Sequence, residues 1–244
     1  SNAYYLAQRG MKVILVEQGD LASGTAARSD GDNFVCDAAP GLTTEFNYAA
    51  VKLIAELAHT LDYDIDWLEK GCIMIADTES DMEFAREMYE TKKAEGVKVR
   101  LMDNKDIRAD EPLVAEDIPG AVEFLEGGSL NPMALAFAFG QHVTAQGGEL
   151  LRFTKVTGFG FHEDGSIERV KTDRGDILTP RVVLAAGVWS TRIAKMAGLD
   201  IPVTAMKGDL LVVEPGSYIA KRKIQELGYA ALRNDSDGFV RSVS

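Results

Sequence analysis

The run Met11-Lys12-Val13-Ile14-Leu15-Val16-Glu17 constrains the fold more than any other stretch of this chain. It is β-branched and leucine-rich, lacks polar–apolar alternation, and ends in an acid. That pattern predicts a strand buried on both faces of a parallel sheet. Ala3-Tyr4-Tyr5-Leu6-Ala7-Gln8-Arg9-Gly10 precedes it. Ala3, Leu6 and Ala7 share one helical face, and Gly10 suits the position after a helix end.

A helix, a tight turn, a buried strand and a terminal carboxylate form the second half of a dinucleotide-binding βαβ unit. In such a unit the acid accepts hydrogen bonds from the adenosine ribose hydroxyls. The Gly-x-Gly-x-x-Gly turn of the first half would lie just upstream of residue 1. Ser1-Asn2-Ala3 resembles a scar of tag cleavage, so Ser1 and Asn2 are set aside. The chain is therefore expected to begin inside the first helix. The plain alternative is a helix–strand unit of some other α/β protein.

With 244 residues, the chain has room for one large domain or two small ones. A hydrophobic content of 46% supplies a sizeable core. The net charge of −12 argues against nucleic acid or an anionic membrane as partner. No apolar run approaches the ~20 residues of an integral membrane span. Cys36 and Cys72 fit no metal or redox spacing. They read as free thiols of a reducing cytoplasm, and no metal site is expected.

Residues 18–31 form a loop rich in Gly, Ser, Asp and Thr. Its backbone N–H groups, with Ser23, Thr25 and Arg28, could wrap a pyrophosphate or a ring system, or the loop could be a plain surface turn. Apolar spacing at Phe46, Ala49, Ala50, Leu53, Ile54 and Leu57 predicts a helix over 45–61. Strands are expected at 72–76, 97–102 and 121–125, with helices at 79–96 and 105–114. Pro132 opens a helix at its first position. A meander follows through 149–153, 155–161 and 167–172, with a hairpin turn at Asp164-Gly165. Arg181-Val182-Val183-Leu184-Ala185-Ala186-Gly187-Val188-Trp189-Ser190 predicts a second buried strand, running into a helix at 191–197. A strand ending in Ala-Gly lets a backbone approach a ligand closely. Further strands are expected at 203–213 and 229–243. The chain stops in a strand-like run, which suggests an artificial end.

Taken in order, the strand to Glu17, the Ser23-Gly24-Thr25…Arg28 loop, the meander and the 182–190 stretch resemble FAD-dependent oxidoreductases of the D-amino-acid oxidase type. Glycine oxidase, the sarcosine oxidase β subunit and flavin-linked proline or opine dehydrogenases belong to that family. The resemblance implies an α/β fold: an incomplete FAD-binding Rossmann-like domain with a β-meander (1–44 and 131–202), and an α+β substrate cap domain with an antiparallel sheet (45–130 and 203–244). It implies FAD as cofactor. Glu17 would bind the adenosine ribose, and Gln18 beside it is counted among the cofactor-binding residues. Ser23, Gly24 and Thr25 would lie along the ribityl-pyrophosphate, with Arg28, Ser29 and on to Gly31 approaching the flavin ring. Val156 would face adenine through its backbone, and Ala186, Gly187 and Trp189 match the second FAD strand. Lys207-Gly208-Asp209 stands where relatives usually carry Arg-Gly-Gln.

The implied reaction is oxidation of a C–N bond in a small amine or amino acid, by an oxidase or a dehydrogenase. Hydride passes to flavin N5, and the imine product is hydrolysed. No dedicated protein base is obligatory, and no catalytic residue is named. His59, His142 and His162 read as surface or structural residues. Without the glycine turn, the chain itself is expected to be colourless and inactive, the alternative reading being a non-catalytic folded fragment or interaction subunit. Unpaired sheet edges lead to the expectation of a homodimer or an aggregate through that edge, and the resemblance adds a partner subunit, which some members of the family have.

Overall fold

The computed structural model describes residues 1–210 and 220–227. Helix α1 (Asn2–Gln8) and strand β1 (Ile14–Val16) come first. β2 (Asp32–Asn33), α2 (Leu42–Thr60), β3 (Leu68–Glu69), β4 (Cys72–Ala76) and α3 (Glu79–Ala94) follow. Then come β5 (Val99–Asp103), α4 (Asn104–Asp110), β6 (Gly120–Phe124) and β7 (Gly128–Ser129). The rest is α5 (Pro132–Ala145), β8 (Glu149–Leu151), β9 (Val156–Phe161), β10 (Ile167–Thr172), β11 (Gly175–Leu178), α6 (Ser190–Met196) and β12 (Lys223–Glu226). The chain divides into two compact units, Ser1–Ser29 with Pro132–Asp209, and Asp30–Asn131 with the residues from Leu210 onward. Among the described residues no helix is long and apolar enough to cross a membrane.

In the first unit, β1 pairs in parallel with β8. Helix α1 packs on α5 through Tyr4, whose ring lies 4.8 Å from Phe139 and 4.3 Å from His142. Tyr4 and Ala7 are its buried residues, whereas Ala3 and Leu6 are only partly covered. Gly10 takes φ +76° just past the helix end, a conformation that favours glycine. Strands β9, β10 and β11 form the antiparallel meander. Gly165 turns its hairpin at φ +82°, and Asp164 accepts the Ser166 N–H at 2.9 Å.

Two expectations for this unit are corrected. The 11–17 run forms only a three-residue strand, half-buried and, among the described residues, with β8 as its one partner. Residues 181–185 are exposed and 181–186 carry no strand ladder, so the expected second buried strand is absent. An apolar run becomes a strand only where a neighbour accepts and donates its backbone hydrogen bonds, and no described strand lies beside this one. Residues 203–210 likewise form no strand. The segments expected at 211–213 and 229–243 lie outside the described residues.

The second unit is built on a four-stranded sheet in the order β12-β4-β6-β5. Its pairings are antiparallel except β12 with β4, which is parallel. The sheet expected as antiparallel is thus mixed, because β12 returns alongside β4 rather than by a hairpin. On one face Cys72, Met74, Val122 and Phe124 meet Met82 and Ala85 of α3. On the other, Ile73 and Ala121 meet Met102 and Ile107. Both central strands are therefore covered on both sides, which explains their unalternating apolar sequences.

Helix α3 starts with a reciprocal cap. Thr78 Oγ1 accepts the Asp81 N–H at 3.2 Å, and Asp81 Oδ2 accepts the Thr78 N–H at 3.0 Å. Thr78→Ala is expected to cost about 1 kcal/mol of stability, read as a lowered denaturation midpoint at unchanged slope. The α2 face differs from the periodicity. Thr44, Val51 and Leu57 are buried, while Phe46 and Leu53 are exposed.

Candidate cofactor site in the first unit

The site grows from the carboxyl end of β1. Parallel pairing brings Val16 opposite Leu151, and the ladder continues beyond the strand. The Glu17 N–H donates to Leu151 O at 2.9 Å, and the Thr154 N–H donates to Glu17 O at 2.9 Å. The Phe153 N–H reaches Gly19 O at 2.9 Å. Glu17 is thus pinned through its backbone on both sides. Its side chain turns back on the chain, Oε1 accepting the Gly19 N–H at 2.8 Å. Among the described residues that bond leaves Oε2 of a half-buried carboxylate available, which is what a ribose diol requires of its acceptor.

The loop after Glu17 is held from below. Leu21 packs on α5 at Gly140, where an added Cβ would lie 2.5 Å from Leu21 Cδ1. Asp20 takes the Leu21 N–H at 2.8 Å and the Arg152 guanidinium at 3.1 Å. These two bonds hold its carboxyl below the usual carboxylate range. A Cβ on Gly19 would lie 2.5 Å from Ser23 Oγ, so glycine lets the loop double back beside Glu17. Ala22 has φ +59°, a left-handed conformation uncommon for a residue with a side chain. Such local strain clusters where a loop is shaped for a ligand.

Arg28 closes the loop. Its Nη1 donates to Ser23 O at 2.8 Å and Gly24 O at 2.7 Å. One nitrogen of the guanidinium expected near a flavin ring thus staples its own loop. Trp189 lies over Gly24, where an added Cβ would sit 3.4 Å from its ring. Gly187, at φ +54°, starts the short turn that delivers Trp189, whose N–H donates to Ala186 O at 3.1 Å.

The structure therefore joins Glu17, Gly19 and Ser23 in one cluster, and Gly24, Arg28 and Trp189 in another along the same loop. Thr25 accepts the Arg28 N–H at 3.0 Å, and Ser29 ends that turn. Val156 opens β9 opposite Thr172, half-buried. Among the described residues no hydrogen bond links Gln18 or Val156 to the other candidates. Lys207 is exposed and pairs with Asp209 at 3.0 Å. Sequence reasoning missed Gly19, Asp20, Leu21, Gly140 and Arg152. A glycine in the middle of α5 was a visible signal, since it costs helix stability unless something packs there.

Residues 1–242 match the family of FAD dependent oxidoreductases, abbreviated DAO. Mouse mitochondrial sarcosine dehydrogenase is 24% identical over 225 residues, covering 86% of this chain and 24% of the relative. Sarcosine oxidase subunit beta of an Arthrobacter species is 28% identical over 225 residues, covering 88% of this chain and 54% of the relative. The crystal structure of glycine oxidase from Bacillus cereus superposes with a TM-score of 0.71 at 26% identity, covering 79% of this chain and 53% of that one. The chain thus spans between a quarter and somewhat over half the length of these relatives. Matched over nearly all its residues, the chain belongs to the family of FAD dependent oxidoreductases.

Proposed function

We propose that the whole protein oxidises the C–N bond of a small amino acid or secondary amine, as an oxidase or a dehydrogenase. The observation that carries this reading is the Glu17 carboxylate. It stands at the end of β1 with one oxygen fixed by the Gly19 N–H and the other without a hydrogen bond among the described residues, in a chain of this family. When bound, the flavin supplies the two-electron acceptor for hydride leaving the α-carbon, and the imine product is hydrolysed by water. In this reading Glu17 accepts the ribose hydroxyls. Ser23, Gly24 and Thr25 line the ribityl-pyrophosphate, with Arg28 holding their carbonyls and Ser29 leading toward the ring. Gly187 and Trp189 close over Gly24, Ala186 positions their turn, and Val156 offers its backbone to adenine.

The unit of Ser1–Ser29 and Pro132–Asp209 would form part of the FAD domain, and the unit around the four-stranded sheet would form part of the substrate cap. The relatives named as glycine oxidase, sarcosine dehydrogenase and sarcosine oxidase point to small amino acids as substrates. One of these relatives is named as a subunit, which favours assembly with a partner chain.

The test is a visible spectrum of the purified protein after soaking in excess FAD and desalting. Retained flavin bands, with the Kd raised about 10–100-fold in Glu17→Ala, support the reading. A flat spectrum from a chain extended to the length of the relatives would overturn it.

A further inference from the structure

Helix α2 carries apolar residues on two faces, and the second unit uses one of them. Thr44, Val51 and Leu57 are buried, and Tyr48 packs against the core cluster beside Val51. The other face holds Leu42, Phe46, Ala49 and Leu53, at spacings of four, three and four residues. Leu42 is 65% exposed, Phe46 66% and Leu53 41%, and Ala49 is exposed with them. A contiguous apolar row left open to water marks an interaction surface. Alternating steps of four and three are the seam of a two-stranded coiled coil, where each apolar knob enters a hole on the facing helix.

The charges beside the seam say what covers it. Glu45 and Lys52 lie on one flank, seven residues apart and both exposed. The opposite flank, Thr43, Ala50 and Leu57, is uncharged. In an antiparallel pair of identical helices the same flanks face each other, so Glu45 of each copy meets Lys52 of the other. That pairing puts the two-fold axis beside Ala49. The same axis sets Phe46 between Ala49 and Leu53 of the facing helix, so one register satisfies the charges and the apolar row together. The small Ala49 at the crossing lets the backbones approach. A parallel pair would instead set Glu45 against Ala50 and Lys52 against Leu57, with no ion pair. Among the described residues Glu45 has no side-chain partner, and Lys52 rests over its own Tyr48 ring at 3.9 Å.

We propose that α2 is the contact helix of a homodimer, in which two copies of this chain pair antiparallel across Leu42, Phe46, Ala49 and Leu53. The apolar row supplies the affinity, and the two exposed ion pairs fix the register. The row runs along about 18 Å of helix, less than a standard interface, so the dimer exchanges with monomer in the micromolar range. The pairing involves neither flavin nor amine, and it stands independently of the proposed oxidation.

The test is sedimentation velocity on the purified 244-residue chain. A dimer is expected at about 50 μM that dissociates on dilution. Phe46→Glu should raise the dimer Kd at least about 10-fold, with an unchanged circular dichroism spectrum and denaturation midpoint, because the ring packs on the solvent side. Glu45→Lys and Lys52→Glu should each weaken the dimer by placing like charges opposite each other. An equimolar mixture of these two variants, or both substitutions in one chain, should restore it. A wild-type monomer at about 50 μM would overturn the proposal. So would a dimer that Phe46→Glu leaves intact, or a double charge swap that fails to restore pairing. A chain extended to the length of the relatives should dimerise with the same sensitivity to Phe46→Glu. A monomeric extended chain would show that the face is covered from within, and the proposal would fall.

Discussion

Lys223→Met is expected to lower the unfolding free energy by about 3–5 kcal/mol, the usual cost of removing one partner from a buried ion pair. Lys223 Nζ lies 2.9 Å from Asp32 Oδ2, and the two side chains are 9% and 7% exposed. Ser129 Oγ donates to Asp32 Oδ1 at 2.7 Å but brings no charge. Without the ammonium, the buried Asp32 carboxylate is left with no cation beside it. The double variant Asp32→Asn/Lys223→Met removes both charges and should recover most of the loss. Chemical denaturation at neutral pH measures both variants. A single-variant loss under about 1 kcal/mol would show that the pair is screened as surface pairs are. The pH dependence follows from the direction of the lysine shift. Its folded pKa is raised, so its contribution is complete below the ordinary lysine value of about 10.4. That contribution is lost only as pH climbs through the higher folded value.

Phe124→Ala is expected to cost about 3–5 kcal/mol as well, for a different reason. Phe124 is 1% exposed at the end of β6, the strand flanked by β4 and β5. It stands opposite Cys72 on one side and Val99 on the other. Neighbours locked in a sheet collapse little into the space a lost ring leaves, so the cavity penalty adds to the lost transfer energy. Phe124→Leu should recover more than half of the loss. Equal denaturation midpoints for Phe124→Ala and the wild type would mean that the sheet relaxes around the deletion.

Several elements were legible because their signals are local. Pro132 marks the start of α5, Asp164-Gly165 marks the hairpin, and Gly10 marks the end of α1. Each depends on the φ preference or hydrogen bonding of one or two residues, which neighbours in space do not alter. The strands at Cys72–Ala76 and Gly120–Phe124 were legible because a centre covered on both faces selects continuous apolar residues. The same reasoning failed at 181–190. The composition there suits a buried strand, but a strand is a relation between two chain segments, and no partner stands among the described residues. It also missed the charged residues of the core. Glu123 is 1% exposed, taking Arg100 Nε at 2.7 Å and Arg222 Nε at 2.9 Å. Lys92 is buried with its ammonium donating to Ala38 O at 2.6 Å. A lone charge in sequence reads as surface, because burial without a partner is too costly. Only the fold supplies the partner.

At the candidate site the division is the same. The residues themselves marked Glu17 at the end of an apolar run and the Ser-Gly-Thr loop behind it, since an acid after a buried strand and a cluster of small donors are one-dimensional patterns. Tertiary structure decided which groups these residues meet: the Gly19 N–H beneath Glu17, the Arg28 staple on Ser23 and Gly24, and the Trp189 ring over Gly24 from 165 residues away. It also decided that Cys36 meets Gln225 and that Cys72 stands in register with Lys223. Residue preferences act over a few positions, whereas these contacts are closed by sheet pairing and helix packing between distant segments, and their geometry exists only once the chain has folded.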